Sequence, residues 1–365
     1  MENKLMHKKK LLIVCPYPEG VAPSQRLKYE QYFEAFNNDG WTITVKPFIN
    51  SSFWKLIYSK GHLLQKVYFT IAAYLQRFVL LSKVSSYDVV YVHLWATPFG
   101  PPLYEKFLRK LAKRLIYDID DLVYLHGTDS KAHPIVTLIK GRNKPIYLMK
   151  HADHVITCTP YLDTFVKQYN QKTTDISSTV DTEERYQVYN KYETSKEVTI
   201  GWSGSLSTSK YFYLLTNVFT KLREKYSFKL IVMGDPNVRI AGLNIEALSW
   251  KESYEMDVLQ RFDIGVYPLP DEQWVYGKSG LKAIQYMALG IPTVATAIGA
   301  NFRVIENGVT GFLVSSEDEW IEKLGKLIED PKLRKDIGLA GRKKVEQTFS
   351  IKANKDNYIK ILNGM

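Results

Sequence analysis

Two successive series of short apolar, β-branched runs, most of them followed by a stretch of helical spacing, constrain this chain more than any other feature. The first series is 10–15, 42–45, 89–93, 114–118 and 154–158, and the second is 198–202, 229–233, 263–267, 292–295 and 311–314. Runs this short, apolar throughout and bounded by turn residues, are the pattern of strands buried on both faces of a parallel sheet. The intervening segments 25–36 and 103–112 carry charged faces at helical spacing, which makes a βαβ series. A polar stretch, 181–197, separates the two series. Single cores stop growing at roughly 250–300 residues, so a chain of 365 residues with two series predicts two doubly wound, Rossmann-like α/β domains, 1–185 and 197–345. The tail from 317 reads as amphipathic helices broken at Asp330-Pro331, with 346–365 expected to pack back towards the first domain. Two such sheets facing each other predict a central cleft where the carboxyl ends of their strands meet.

Several function classes drop out on motif grounds. The loop after the first run, Cys15-Pro16-Tyr17-Pro18-Glu19-Gly20, has no GxGxxG, which disfavours a dehydrogenase, and no GxxxxGK[ST] occurs, which removes the commonest phosphoryl-transfer reading. Cys15 and Cys158 lie in separate strand-like runs and indicate neither a disulfide framework nor a metal knuckle. Lys8, Lys9 and Lys10 precede an apolar run that Pro16 and Pro18 end after five residues, whereas a signal segment needs about 7–15. A buried first strand and a cytoplasmic chain are the expectation.

Charge is uneven. Residues 1–115 hold 17 Lys and Arg against 7 Asp and Glu, so most of the formal net charge of +11 sits there. Between 53 and 81, Lys55, Lys60, Lys66 and Arg77 alternate with Trp54, Leu64, Tyr68, Ile71 and Leu75 among other apolar residues. That mixture suits a helix in the headgroup region of an anionic membrane, or an amphipathic helix packed on its own domain with snorkelling cations. Gln65, Lys66, Gln76 and Arg77 interrupt the roughly 20 apolar residues that a span needs, so no transmembrane segment is expected. A nucleic-acid partner is not expected, because no reading helix, RNA-binding motif or zinc site accompanies the charge.

The most informative segment is 274–295, Trp274-Val275-Tyr276-Gly277-Lys278-Ser279-Gly280-Leu281-Lys282 and onward to Pro292 and Ala295. Ser279 is placed to cap a helix, Gly280 lets a ligand approach the backbone, Leu281, Ile284 and Ala288 form an apolar face, and Gly290 ends the helix before a buried strand. A helix start of this kind suits an anion. Lys278 and Lys282 flank its positive end, an unfavourable place for a cation by about 0.3–1 kcal/mol unless a diphosphate reverses the sign; the alternative is two solvated lysines. Upstream, the Gly201-Trp202-Ser203-Gly204-Ser205-Leu206-Ser207-Thr208-Ser209-Lys210 turn offers backbone amides to phosphate through Gly204 and Ser205, with Lys210 to neutralise charge or simply exposed.

Here the chain resembles the family 4 glycosyltransferases of GT-B fold, through Gln285-Tyr286-Met287-Ala288-Leu289-Gly290-Ile291-Pro292. Further resemblance lies in Gly308-Val309-Thr310-Gly311-Phe312-Leu313-Val314, Ala152-Asp153-His154-Val155-Ile156 and Val232-Met233-Gly234. It covers most of the chain, the C-terminal half most specifically, and looks like a divergent branch of bacterial polysaccharide glycosyltransferases. Both glutamates of the family's signature are replaced, by Gly277 and by Gln285. The resemblance implies a donor site at Gly204, Ser205, Lys210, Gly234, Ser279, Gly280, Leu281, Lys282 and Gln285, the last a ribose contact through its amide. Lys278 is then the candidate for the lost sugar contact.

The acidic motif Tyr117-Asp118-Ile119-Asp120-Asp121 closes a predicted strand. Carboxylates there are well placed for chemistry. Asp118 and Asp120 are the candidates to take a proton from an acceptor hydroxyl or to steady an oxocarbenium ion, where related enzymes commonly use a histidine; His93 stands on the preceding strand. Helix capping is the plain alternative. A DxD also resembles the metal motif of the GT-A fold, with Mg²⁺ or Mn²⁺ as the fitting ions, but the GT-B resemblance implies no metal and no cofactor. Tyr17, Arg26 and His93 are the acceptor-side candidates, Arg26 for its fork geometry. The shape of 235–250 is expected to select the base, with Trp250 a stacking surface or core.

These readings point to transfer of a sugar from a nucleotide diphosphate sugar to a saccharide, in a lipid-linked or cell-surface polysaccharide setting, with retention implied by the resemblance. A non-catalytic nucleotide-sugar-binding homologue or partner subunit, and a GT-B epimerase or phosphorylase, are the competing readings.

Overall fold

In the computed structural model, residues 8–57, 59–123, 141, 143–188 and 197–365 are described. The backbone divides into two compact units, one running to Ser177 and including Lys355–Met365, the other Ser178–Asn354. Part of the polar stretch between the series, 189–196, lies outside the described residues.

The first unit holds a parallel sheet of six strands in the order β2-β1-β3-β4-β5-β6. They are β1 Lys9–Cys15, β2 Trp41–Pro47, β3 Val89–His93, β4 Leu115–Asp118, β5 His154–Thr157 and β6 Thr173–Asp175. Leu11, Leu12, Ile13 and Val14 of β1 are fully buried, as a strand covered on both faces requires. The second unit repeats the architecture in the order β12-β11-β10-β7-β8-β9, with β7 Val198–Ser203, β8 Phe228–Met233, β9 Ile245–Leu248, β10 Ile264–Tyr267, β11 Thr293–Thr296 and β12 Phe312–Val314. Each order reverses beside its unit's first strand, between β1 and β3 and between β7 and β10, and such switch points open a crevice at the strands' carboxyl ends.

All ten expected runs are strands. The two not anticipated, β6 and β9, are edge strands of three and four residues, and Thr-Thr-Asp and Ile-Glu-Ala-Leu carry no continuous apolar run to mark them. The expected helix over 25–36 is broken into Pro23–Arg26, a tight turn at Glu30–Tyr32 and Phe33–Asn38. The tail is three helices, Glu317–Glu329, Pro331–Thr348 and Ile351–Asn363. Asp330 makes the first break a clean restart, its carboxylate accepting from the Leu333 amide at 2.9 Å. In the first unit, the Tyr358 ring of the last helix packs 4.5 Å from that of Tyr32, and the Leu362 carbonyl accepts from Arg114 at 2.8 Å.

Candidate active site

Strand geometry gathers one polar cluster at the carboxyl end of the first sheet. Tyr91 and His93, two apart on β3, face the same side, and Asp118 stands beside His93 in register. Asp118 Oδ1 lies 2.9 Å from Nζ of Lys28, with both side chains fully buried. Its Oδ2 accepts from Tyr91 Oη at 2.5 Å and lies 3.3 Å from His93 Nδ1. Lys28 also donates to the Ile176 carbonyl at 3.1 Å. Burial alone pushes the Asp118 carboxyl up, but the Lys28 ammonium, with His93 and Tyr91, outweighs it and brings the group down to about 2. Burial likewise disfavours the Lys28 ammonium, and Asp118 more than restores it, leaving Lys28 above its ordinary value. An ionised carboxylate can only accept, so the proton between Asp118 and His93 sits on Nδ1.

The buried Asp118 carboxylate makes the stability of the fold depend on pH. Its folded value is depressed, so its stabilisation is complete above the ordinary carboxylate value near 4 and is lost as pH falls to about 2. Roughly 2–3 kcal/mol of acid lability between those limits is expected, absent in Asp118→Asn. Urea unfolding at stepped pH measures it, and equal acid slopes in both proteins would refute it.

The same geometry corrects the reading of Asp118 as a group that meets substrate. It is sealed and fully paired, so its place is to orient His93 and anchor Lys28. Asp120, two residues on, keeps its side chain 12% exposed, and its Oδ1 faces His93 Nε2 at 4.0 Å. That is too long for a hydrogen bond, and neither atom has a hydrogen-bond partner among the described residues. Burial lifts the Asp120 carboxyl above its ordinary value, against the opposing pull of His93 and Lys28. A raised, partly exposed carboxylate beside an oriented imidazole is suited to taking a proton.

Sequence reasoning passed over two further residues here, Gln25 and Leu94. Gln25 is fully buried; its amide accepts from the Tyr17 amide and donates to the Tyr17 carbonyl, both at 3.0 Å, and donates to Glu30 at 2.9 Å. It fixes the loop after β1. Arg26 next to it is half-buried. Tyr17 packs its ring against Trp54 and Trp95, at 5.3 and 6.1 Å. The second residue passed over is Leu94, which leaves β3 at φ 58°, inside a turn where the Trp95 amide donates to the His93 carbonyl at 2.6 Å. Non-glycine residues in this region cost of order 1–3 kcal/mol and gather at functional sites. No glycine marks the turn, so the sequence gives no sign of it.

In the second unit, the turn after β7 is tighter than its composition suggests. The Gly204 amide donates to the Met233 carbonyl at 2.9 Å and the Ser205 amide to Thr208 Oγ1 at 3.0 Å. The two amides offered to phosphate are therefore used inside the chain. The glycines serve close packing instead: Gly234 sits at φ +135°, and a Cβ on it would lie 2.4 Å from the Gly204 carbonyl oxygen. Ser209 Oγ donates to Asp235 at 2.8 Å, and Lys210 lies over the Tyr211 ring at 5.0 Å. Trp250 is partly exposed, its indole donating to Glu255 at 3.0 Å.

The helix after β10 is Leu281–Ala288. Its N-cap is Gly280, at φ 78°, with no side-chain cap. Ser279 is therefore not the cap; its hydroxyl pairs with that of Ser178 at 2.9 Å. A helix start without a capping side chain leaves its first-turn amides with no side-chain acceptor, the arrangement that suits an anion. Lys278 stands beside it, 5.7 Å from the Trp274 ring. Lys282 donates to Gln285 Oε1 at 3.2 Å, and Gln285 Nε2 donates to Tyr186 Oη at 2.6 Å. Gln285 is buried, so its amide is committed at both ends rather than open to ribose. Tyr286 joins this helix to the end of β7, its hydroxyl accepting from the Ser203 amide at 2.7 Å.

Residues 197–330 match the family described as "Glycosyl transferases group 1". The second unit carries a group 1 glycosyl transferase domain. Among curated relatives, the capsular polysaccharide biosynthesis glycosyltransferase CapM of Staphylococcus aureus is 28% identical over 162 residues, 41% of this chain and 42% of that protein. The D-inositol 3-phosphate glycosyltransferase of an Arthrobacter strain is 38% identical over 80 residues, 21% of this chain and 18% of that one. The matched stretches thus span less than half of these relatives. Solved structures match over the full length: HepE of Anabaena, in complex with UDP and glucose, has a TM-score of 0.70 at 15% identity, covering 98% of this chain and all of that one. A glycosyltransferase from Rickettsia africae has a TM-score of 0.71 at 16% identity, covering 98% of each chain. The fold is GT-B, as the family 4 resemblance implied.

Proposed function

We propose that this chain transfers a sugar from a nucleotide diphosphate sugar to a saccharide acceptor. The observation that carries the proposal is the uncapped helix start at Gly280, flanked by Lys278 and Lys282, inside a group 1 glycosyl transferase domain. In this reading the helix start and Lys278 receive the departing diphosphate, Lys282 adds charge beside it, and Asp120, backed by His93, takes the acceptor's proton. No metal enters the reaction, and the anomeric configuration is retained. HepE, solved with UDP-glucose, supports a uridine donor, and CapM supports a cell-surface polysaccharide as the setting. The protein works in the cytoplasm, at the inner face of the membrane, with residues 53–81 as its contact and a lipid-linked glycan as its acceptor.

The test is thermal stabilisation by UDP-, GDP-, ADP- and dTDP-sugars, with and without EDTA. One nucleotide class is expected to stabilise the protein, unaffected by EDTA, with at least about a tenfold loss of affinity in Lys278→Ala, the order of one charge-assisted contact to phosphate. Stabilisation by none of the four would contradict the donor site, and EDTA-sensitive turnover would place a metal in the reaction. The closure of Gln285 on Tyr186 and Lys282 favours a second reading, a nucleotide-sugar-binding homologue without turnover, which stabilisation with no released nucleotide would support.

A further inference from the structure

The apolar stretch 53–81 is two helices, Ser51–Ile57 and Leu63–Leu81, and the second is turned inside out. Its buried residues are Ala73, Arg77 and Leu80. Arg77, one of the four cations that the sequence places in this stretch, points inward: its guanidinium donates to the carbonyls of Ala96, Lys46 and Cys15 at 3.0, 2.7 and 2.9 Å. Those carbonyls belong to chain at or just beyond the carboxyl ends of β3, β2 and β1, and the fork geometry of Arg fits all three. The opposite face carries Leu64, Tyr68, Ile71, Leu75 and Val79, all between 56% and 85% exposed. This is the reverse of a helix that buries its apolar stripe in its own domain.

The apolar surface does not stop at that helix. Tyr74 Oη donates to the Phe99 carbonyl at 2.8 Å and accepts from the Phe99 amide at 2.9 Å, and the Phe78 ring meets that of Tyr104 at 6.0 Å. Tyr104 lies in the Leu103–Leu111 helix, whose Leu103, Phe107 and Leu111 form a second exposed stripe. Lys106 and Lys110 stand exposed beside it. From Gly40 to Tyr117 only Asp88 and Glu105 are acidic, against eleven Lys and Arg. Asp88 is paired with Lys113 at 3.0 Å and Glu105 is buried against Lys144. Neither offers exposed, unbalanced negative charge to a neighbour.

Resting on the membrane reading of 53–81, we propose that Leu63–Leu81 and Leu103–Leu111 form one two-helix plate that lies in the interface of an anionic bilayer, with the second helix contributing its own apolar stripe and lysines. Charge complementarity selects this occupant: a second copy would bring the same excess of lysine and arginine against itself, whereas acidic headgroups neutralise it. By length and composition Leu63–Val84 is also able to cross a bilayer. Crossing would strip Arg77 from its three carbonyls, so the helix lies along the surface.

The experiment is flotation of the full chain with vesicles of phosphatidylcholine alone or mixed with phosphatidylglycerol, for wild type, Leu64→Ser/Leu75→Ser, Leu103→Ser/Phe107→Ser and Lys106→Glu/Lys110→Glu. Binding is expected only to the anionic vesicles, weakened about tenfold or more by either apolar pair and about thirtyfold or more by the lysine pair. Melting temperature and stabilisation by nucleotide sugar are expected to stay at wild-type levels in all three. If the Leu64/Leu75 variant loses binding while both variants in 103–111 keep it, the plate is overturned and the 53–81 contact survives. If wild type fails to float, both fall. A dimer that Leu75→Ser splits would assign the face to a second copy, and resistance to alkaline carbonate would assign Leu63–Val84 to a span; either result overturns the proposal.

Discussion

Lys28→Met is expected to lower the stability of the first unit by about 3–5 kcal/mol, because it leaves the Asp118 carboxylate buried with no counter-charge. Methionine has nearly the reach and volume of the lysine stem, so the loss is electrostatic rather than a cavity. Lys28 and Asp118 are both wholly buried and 2.9 Å apart, and the pair joins the segment after Pro23–Arg26 to the end of β4. Thermal unfolding of the full chain measures the effect, as a fall of about 6–20 °C in the transition that reports the first unit. The double variant Lys28→Met/Asp118→Asn removes both charges and is expected to recover much of the loss, a non-additivity that two independent sites would not show. A fall under about 2 °C in the single variant, or no recovery in the double one, would contradict the anchoring role of the pair.

How much of this was open to sequence reading depended on whether a residue's role is local. The ten strands were legible because a doubly covered strand must be apolar along its length, and the GT-B resemblance followed from 285–292 and its neighbours. Asp118, Asp120 and His93 were legible as a cluster because β3 and β4 are adjacent and in register. Their division of labour was not. Whether a carboxylate is sealed or exposed depends on Lys28, ninety residues upstream of Asp118, and nothing in the Asp118-Ile119-Asp120 spacing points to it. Similarly, Gln285 sits where the family has a ribose contact, yet Tyr186 and Lys282 close over its amide. Ser279 precedes a helix as capping residues do, but the left-handed Gly280 stands between and takes the cap position. Arg77 looks like its neighbouring cations until the fold supplies three carbonyls on its inner side.

The second large effect concerns Asp120. Asp120→Asn keeps the size and leaves the Lys28–Asp118 pair untouched, but an amide cannot take a proton at neutral pH. Transfer is expected to fall by about 10²–10⁴-fold, the range for loss of a general base, with stabilisation by the donor unchanged because Lys278, Gly280 and Lys282 are not altered. In wild type the raised Asp120 carboxyl also predicts an acid limb in the rate profile, falling below a midpoint above the ordinary aspartate value. Asp118→Asn, by contrast, is expected to act through His93, moving that limb and lowering stability together. If Asp120→Asn transfers at the wild-type rate, the proton goes elsewhere.

In the proposed reaction the helix start at Gly280 holds a nucleotide sugar whose sugar is passed on. Nucleotide release from the stabilising donor, followed with and without a glycan acceptor in wild type and Asp120→Asn, tests it most directly. Acceptor-dependent release in wild type, suppressed at least about a hundredfold in Asp120→Asn, is the predicted result. A folded wild-type protein that binds the donor and never releases nucleotide with any acceptor would contradict it and leave a binding homologue in its place.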